Sequence, residues 1–334
     1  MDRQNQKAQQ LFNLIFGGGN PSLFFFLKTF INIVLLCNTM KKIPLFLFAF
    51  ILIGFASATT IITDCQGLQN MNLDLHGDYL QAYDLDCSNF GNFIPIGELN
   101  NPFEGTFTTY GGKIHGLNIY QPNERFVGLF GLIGNAGVVE AVILEHSRVE
   151  GDDYVGSIAG YNGGIIKQSK ADGKIYGDGF VGGVVGMNDG TLSEIIYKGE
   201  LTANTFAGGL IGQHNSGMLE NSYVHGSLNI NQVGGGAVGI VNNGIIQKVY
   251  SVSEITRNSG NGGFVGVNIN GLYNGNFWDK GVAGQGPDTG NQGNMIGIKG
   301  LGSQLLQTGT PYLSEGWNQN IWTKTNSYPF LKWE

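Results

Sequence analysis

From residue 126 onward, short apolar segments alternate with polar residues and are separated by glycine. The segments YVGSIAG, FVGGVVG and FAGGLIG begin at Tyr154, Phe180 and Phe206, and each leads through a polar turn into a longer alternating run such as GIIKQSKADGKIYG. Alternation with a period of two predicts β-strands, and glycine at this density disfavours a helix. Each unit is therefore expected to form about three strands of four or five residues.

The glycine-rich segment recurs at nearly constant spacing. Its first glycine lies at Gly128 and recurs every 26 to 28 residues as far as Gly262. A period of this length is typical of solenoids, in which each coil depends on its neighbours to bury its apolar side. We therefore predict an all-β parallel β-solenoid (β-helix) of about six coils of 26–28 residues, with irregular caps at both ends.

Two sets of recurring residues are expected to turn the coils. Glycine suits turns that need a positive φ, and asparagine tolerates the left-handed region better than most residues. In-register stacking would also place the asparagines above one another, so that each side-chain amide bonds to the next. The predicted turn residues are Gly156, Gly160, Gly182, Gly186, Gly208, Gly212, Gly235, Gly239, Gly262 and Gly266, together with Asn135, Asn162, Asn188, Asn215 and Asn242.

The first 58 residues differ from this pattern. Met40-Lys41-Lys42, a 14-residue apolar run and the exit Ala56-Ser57-Ala58 form the layout of a secretory signal. Residues 40–58 are thus predicted to be a signal peptide, with 1–39 an upstream extension or leader and Thr59 the first mature residue. The alternative is an uncleaved N-terminal membrane anchor, although a 14-residue run is short for a bilayer span.

Composition excludes one class of partner. The 334 residues include 55 glycines, and only 13% are charged. Without the predicted leader the chain keeps 13 basic and 24 acidic side chains, a net charge of −11. An acidic surface without basic runs argues against binding of nucleic acid.

A match to a nucleotide-binding motif is also explained by the repeat. Gly177, Gly179 and Gly182 have the G-x-G-x-x-G spacing of a dinucleotide-binding turn. Such a turn requires a long helix after it, whereas the residues that follow predict another strand. We expect no bound nucleotide and no cofactor.

The flanking regions are expected to cap the array. Residues 59–125 predict N-terminal capping coils, 126–279 the repeats, and 280–334 a loop and an aromatic C-terminal cap. The tryptophans are concentrated in this closing region, where large aromatic side chains would suit a lid over the last coil. In an exported chain, Cys65 and Cys87 predict a disulfide, and the alternative is two buried free thiols.

The repeats resemble those of secreted GLUG-motif proteins. The resemblance lies in [FY]-[VA]-G-G-x-[VI]-G-x-N-x-G-x-[IL], best seen at Phe180–Leu192, and extends to the opening PIG…PFEGTF…GGKIHGLNI and the ending GW…IWT…SYPFLKW. It departs at Gly105–Gly112, where GTFTTYGG stands in place of GTFDGNG. The resemblance implies a right-handed parallel β-helix that is exported and often surface-associated. Some bacterial immunoglobulin A peptidases carry such repeats as accessory segments beside a zinc protease domain.

Candidate chemistry is sparse. No H-E-x-x-H pair or cysteine cluster occurs, so we predict no metal site. The densest acidic group is Glu145, Glu150, Asp152 and Asp153, which is expected to form a solvated turn or, alternatively, to hold calcium or to supply acid and base groups that act on a sugar. His115, His214 and His225 are expected to be neutral and hydrogen-bonded. Aromatic residues could line a sugar-binding face, or stack in or over the core: Tyr154, Tyr161, Tyr197, Tyr223 and Tyr250.

These observations favour a secreted or cell-surface module without catalytic activity. We expect it to act in recognition, adhesion or architecture and to bind a glycan or a protein along an extended face, as solenoids commonly do. The alternative is a polysaccharide-active β-helix enzyme, a lyase or a glycosidase, that uses the surface carboxylates.

Overall fold

A computed structural model describes residues 59–256, 260–284, 286–323 and 326–334. These residues form a parallel β-solenoid of about seven turns with little helix, which confirms the predicted fold class. The predicted leader, residues 1–39 and 40–58, lies outside the described residues. Among the described residues, no helix has both the length and the apolar character needed to cross a membrane.

The N-terminal region is built from short strands and one helix. Its elements are β1 (Thr60–Ile62), α1 (Cys65–Gln69), a 3-10 helix (Asn70–Leu73), β2 (Asp78–Gln81), β3 (Leu85–Asp86), β4 (Thr106–Thr109), β5 (Lys113–His115) and β6 (Asn118–Gln121). The predicted disulfide is present, and it joins Cys65 in α1 to Cys87 just after β3.

The repeats supply most of the strands. They are β7 (Phe130–Ile133), β8 (Val138–Glu140), β9 (Ile143–Gly151), β10 (Ala159–Asn162), β11 (Ile165–Gly177), β12 (Phe180–Gly182), β13 (Val185–Asn188), β14 (Thr191–Ala203), β15 (Phe206–Gly208), β16 (Ile211–His214), β17 (Met218–Ile230), β18 (Val233–Gly235), β19 (Val238–Val241), β20 (Ile245–Ile255) and β21 (Val265–Asn268).

The C-terminal region adds short strands and short helices. They are β22 (Leu272–Asn274), β23 (Asn276–Asp279), α2 (Lys280–Ala283), β24 (Ile298–Leu301), α3 (Ser303–Leu306), α4 (Thr310–Ser314), β25 (Trp322–Thr323) and β26 (Phe330–Leu331).

Each coil contributes strands to parallel sheets that run along the solenoid. One sheet has the order β21-β19-β16-β13-β10-β7, a second is β12-β15-β18, and the largest contains the long strands β11, β14, β17 and β20. Equivalent residues of successive coils are paired, as Phe180 is with Phe206. Apolar side chains at equivalent positions of successive coils, such as Val155, Val181 and Ala207, are fully buried and form the shared interior.

The long strands bend because one residue in each takes a left-handed backbone conformation. The bend lies at Gln168, Glu194, Asn221 and Lys248, with φ between 47° and 58°. These side chains share no residue type, so the bend is not visible as a sequence motif.

The motif glycines do not have the role that was predicted for them. None of the ten lies in the left-handed region, and eight lie within strands. They are required because two sheets approach each other backbone to backbone: a Cβ at Gly212 would lie 2.7 Å from the carbonyl oxygen of Gly186 and the carbonyl carbon of Phe180. Close approach, rather than turn conformation, therefore explains the glycine period.

The predicted turn asparagines occupy three different positions. Asn162 pairs with Asn188 in the sheet, and Asn188 pairs with His214 rather than with Asn215. The turn that follows has two residues after β13 and three after β16. Because of this extra residue, Asn215 and Asn242 lie one position after the last residue of their strands. There the side-chain amide of Asn242 donates to the side-chain oxygen of Asn215. Asn135 lies in an exposed turn.

The C-terminal segment covers more than the last coil. Trp317, Trp322 and Leu331 pack against a column of side chains on the outer face of the largest sheet. The column comes from four successive coils and consists of Ile196, Tyr223, Tyr250 and Phe277. The segment is anchored by Glu334, whose carboxylate lies 2.5 Å from Nζ of Lys198.

Candidate functional site

A column of aromatic rings runs along the outer surface of the repeats. Phe126, Tyr154, Phe180 and Phe206 stack with ring centroids 5.0–5.2 Å apart and planes within 10° of parallel. The stack follows from the pairing of successive coils in register, which places one ring above the next. All four side chains are half-buried, so their edges remain at the surface.

The N-terminal end of this column opens into a cleft. Phe126 is the first ring of the stack in chain order, and one of its faces contacts Tyr154. The cleft has a volume of about 560 Å³, a size typical of small-ligand sites. Its lining combines apolar and polar groups, including Ile94, Pro95, Glu98, Leu99, Gln121, Asn123, Glu124, Arg125, Phe126 and Leu132.

Arg125 is positioned beside the stack and not on top of it. Its guanidinium carbon lies 5.3 Å from the centroid of Phe126 and 5.1 Å from that of Tyr154. Because it is almost equidistant from the two centroids, the guanidinium contacts both rings of the stack. Its Nε lies 3.3 Å from a carboxylate oxygen of Asp153, which holds the guanidinium in place.

A second cluster lies where β5 and β9 are paired. His115 pairs with Glu145, and the ligand atoms of His115, Glu145 and His146 all lie within 4.8 Å of one another. His146 has a left-handed φ of 54°, and its backbone N–H is held by the carboxylate of Asp172. This conformation interrupts the alternation of the strand, and the pairing of β9 with β11 is shifted there.

Negative charge surrounds this second cluster. Lys113 lies 2.8 Å from Glu145, and that hydrogen bond and charge raise the pKa of Lys113, with smaller contributions from Asp84 and Asp172. Hydrogen bonds from Ser88 lower the pKa of Asp86, and the neighbouring His115 lowers it further. Four carboxylates therefore lie around one lysine and two histidines.

Three of the four predicted carboxylates have separate side-chain partners. Glu145 joins the two histidines and Lys113, Glu150 forms an ion pair with Arg148 at 2.6 Å, and Asp153 binds Arg125. The backbone carbonyl of Asp152 accepts from the backbone of the next coil, at Asp178 and Gly179. The chemistry of Glu145 is thus coupled to histidines and not to the other three acids.

The remaining predicted histidines are buried. Burial lowers the pKa of both His214 and His225 to about 4. His225 is surrounded by the rings of Tyr223, Tyr250 and Tyr328.

The five predicted tyrosines divide between the surface and the interior. Tyr223 and Tyr250 are covered by the C-terminal segment and Tyr197 is in the core, so these three do not line an exposed face. Tyr161 is half-buried and meets Phe126 edge to face. Tyr154 belongs to the aromatic column.

The cluster of His115, Glu145 and His146 was not predicted as a unit. His115 comes from the capping coils and Glu145 and His146 from the first repeat, so the period of the repeats does not bring the three together. The only available signal was the separation of 30 residues between His115 and Glu145, close to the length of one coil.

Comparison with known proteins supports the fold and leaves the family open. No family model matches the chain. A crystal structure of "a putative immunoglobulin A1 protease" from Bacteroides ovatus superposes with a TM-score of 0.61 at 18% identity, over 84% of this chain and 94% of that one. At this identity the similarity shows a shared β-solenoid fold.

Two curated proteins match parts of the sequence. Halomucin of Haloquadratum walsbyi is 30% identical over 125 residues, which cover 34% of this chain. A "putative Gly-rich membrane protein" of Evansella cellulosilytica is 39% identical over 75 residues, or 22% of this chain. The matches span only 1% and 9% of those two proteins.

Proposed function

We propose that this protein is an extracellular or cell-surface recognition module that binds a glycan in the cleft beside Phe126, the first ring of the aromatic column. The observation that carries the proposal is the position of Phe126, the first ring of the stack, in the lining of the cleft. The face of an aromatic ring carries partial negative charge, and the C–H bonds of a sugar ring can stack on it.

The cleft also offers the groups that orient a sugar. Gln121 and Asn123 provide amide donors and acceptors, and Glu98, Glu124 and Arg125 provide charged partners for hydroxyl groups. Two acids and one base give no net positive charge, so a neutral glycan fits the cleft better than a uronate polymer.

The comparisons with known proteins are compatible with an extracellular or cell-surface location. The partial similarities to halomucin and to a Gly-rich membrane protein, and the disulfide in the N-terminal region, support export from the cytoplasm. A protein without catalytic activity is favoured because Glu145, Glu150 and Asp153 each have a separate partner.

The proposal is tested by glycan-array screening of the full chain, followed by calorimetry with the best neutral oligosaccharide. Phe126→Ala is expected to weaken binding about fivefold or more, because one lost ring contact is worth about 1 kcal/mol. Phe206→Ala is the matched control, since Phe206 lies at the other end of the same stack, away from the cleft. No binding across the array, or equal loss in both variants, would refute the proposal.

The enzymatic alternative predicts a different result. A lyase or glycosidase would release unsaturated or reducing-sugar products from a bound polysaccharide, and Asp152→Ala would abolish the release. Binding without product release favours the recognition module.

A further inference from the structure

We propose that His115, Glu145 and His146 bind a divalent transition-metal ion such as Zn²⁺. The sequence alone predicted no metal site. The structure brings together two imidazoles and one carboxylate. Zinc binds such nitrogen and oxygen ligands, whereas calcium and magnesium prefer oxygen ligands alone.

The geometry of the cluster is close to that of a coordination site. Zinc bonds of about 2.0–2.2 Å in a tetrahedral arrangement place neighbouring ligand atoms roughly 3.4 Å apart. The three ligand atoms here lie within 4.8 Å of one another. Because both histidines are exposed, rotation about side-chain torsions can close the difference without moving the backbone.

The backbone at His146 favours this arrangement. Successive residues of a strand normally point to opposite faces, but the left-handed φ of His146 breaks that alternation directly after Glu145. The carboxylate of Asp172 holds the N–H of His146, and the carbonyl oxygen of Asp172 accepts from the hydroxyl of Ser147 at 2.8 Å. The next coil therefore fixes the bend from which both ligands project.

Charge favours a cation at this point. Asp84, Asp86 and Asp172 lie around the cluster in addition to Glu145, and Lys113 is the one cation that contacts the carboxylate of Glu145 among the described residues. The Lys113 side chain is 46% exposed, and exposed ion pairs contribute little stability. A metal ion can thus displace the ammonium from Glu145, and three protein ligands leave a fourth position for water.

The experiment is titration calorimetry of the full chain with ZnCl₂, with CaCl₂ as the comparison. His115→Ala, His146→Asn and Glu145→Gln are each expected to weaken Zn²⁺ binding by about 100-fold or more, since loss of even an outer-shell partner costs about 10–100-fold. Asparagine is chosen at position 146 because it tolerates a left-handed φ. Lys113→Met removes the competing ammonium and is expected to strengthen binding.

His76→Ala is the matched control, because His76 is an exposed histidine outside the cluster. X-ray absorption of the zinc-loaded chain is expected to show two imidazole ligands. The proposal is overturned if Zn²⁺ does not bind, if the histidine variants bind it as tightly as the original chain, or if Ca²⁺ binds equally well.

Discussion

Asn188 donates its side-chain amide to Nδ1 of His214, and the two atoms lie 3.2 Å apart. The direction is set by Asn162, whose amide donates at 2.7 Å to the side-chain oxygen of Asn188. Nδ1 of His214 is therefore an acceptor, and Nε2 carries the proton and faces the carbonyl oxygen of Ile245 at 3.4 Å. The ladder requires a neutral imidazole.

This requirement predicts loss of stability in acid. Burial lowers the pKa of His214 to about 4, compared with about 6.5 in the unfolded chain. Between these values the unfolded chain binds a proton that the folded chain does not, so the free energy of unfolding falls as the pH drops below about 6.5. The loss from His214 is about 2 kcal/mol at roughly pH 5, and His225 adds a similar loss.

His214→Asn tests the origin of this pH dependence. Asparagine occupies the paired position in the two preceding coils, and its side-chain oxygen can accept from Asn188 as Nδ1 does. Denaturant unfolding from about pH 4 to about pH 7 is expected to show roughly half the pH dependence of the original chain. His76→Asn, a change at an exposed histidine, is expected to leave the dependence unchanged. An unaltered slope in His214→Asn would contradict the assignment.

The role of His214 also shows where the sequence could not predict the structure. The ladder position falls at the end of β16, and only the extra turn residue before β17 moves Asn215 out of it. The asparagine position was predicted from its distance to the glycine that follows the turn. That distance is constant only if the turn has the same length in every coil, and here the length changes between coils. The repeat period did predict the stacking of the coils. The alternation of apolar residues and the constant spacing of the repeats are required because each coil buries the apolar side of its neighbour.

The candidate sites depend on features that the repeat does not encode. The cleft beside Phe126 is lined in part by residues of the irregular coil that precedes the repeats, such as Ile94 and Leu99. Glu145 and His146 project together because of a backbone conformation at one residue. Both are properties of the junction between capping coils and repeats, where the period is lost. The aromatic stack itself is visible in the sequence from the Phe or Tyr that begins each of the first four repeats.

We predict that a motif glycine, at a point where two sheets approach each other, cannot be replaced by a residue with a side chain without loss of stability. Gly212→Ala would place a Cβ 2.7 Å from three backbone atoms of the preceding coil, and we expect it to lower the free energy of unfolding by about 2 kcal/mol or more.

Gly302→Ala is the control for this prediction. Gly302 has a φ of −72°, and within the described part of the chain no neighbouring atom lies within 4 Å of the place that an added methyl group would take. We expect that variant to be neutral or slightly stabilising. Equal effects of the two substitutions in urea titrations would argue against close backbone approach as the reason for the motif.

Reduction of the Cys65–Cys87 disulfide is predicted to destabilise the N-terminal cap. The two cysteines are 22 residues apart, and the bond is expected to contribute about 3 kcal/mol by restricting the unfolded chain. Hydrogen exchange of α1 and β2 is expected to accelerate more than that of β14 and β17 when a reductant is added. The Cys65→Ser/Cys87→Ser variant should match the reduced chain and should not respond to reductant.

The bends of the long strands provide the last prediction. The pairing of β14 with β17 is interrupted at the bend, and there the backbone N–H of Ile195 donates instead to the hydroxyl of Ser222, 2.9 Å away. That hydroxyl donates in turn to the carbonyl oxygen of Glu220 at 2.6 Å. Ser222 is fully buried, so Ser222→Ala leaves the N–H of Ile195 without this acceptor, at a cost of about 1–3 kcal/mol.

Ser169 makes the equivalent bond to the N–H of Val142, and Asn276 to that of Val249. Side chains from alternate coils thus replace the missing backbone pairs. Ser216→Ala is the control, because Ser216 is exposed and its hydroxyl bonds to Asp189, and a change within about 0.5 kcal/mol is expected. If urea unfolding showed the two variants to be equally stable, backbone pairing and not the serine hydroxyl would have to hold the bend.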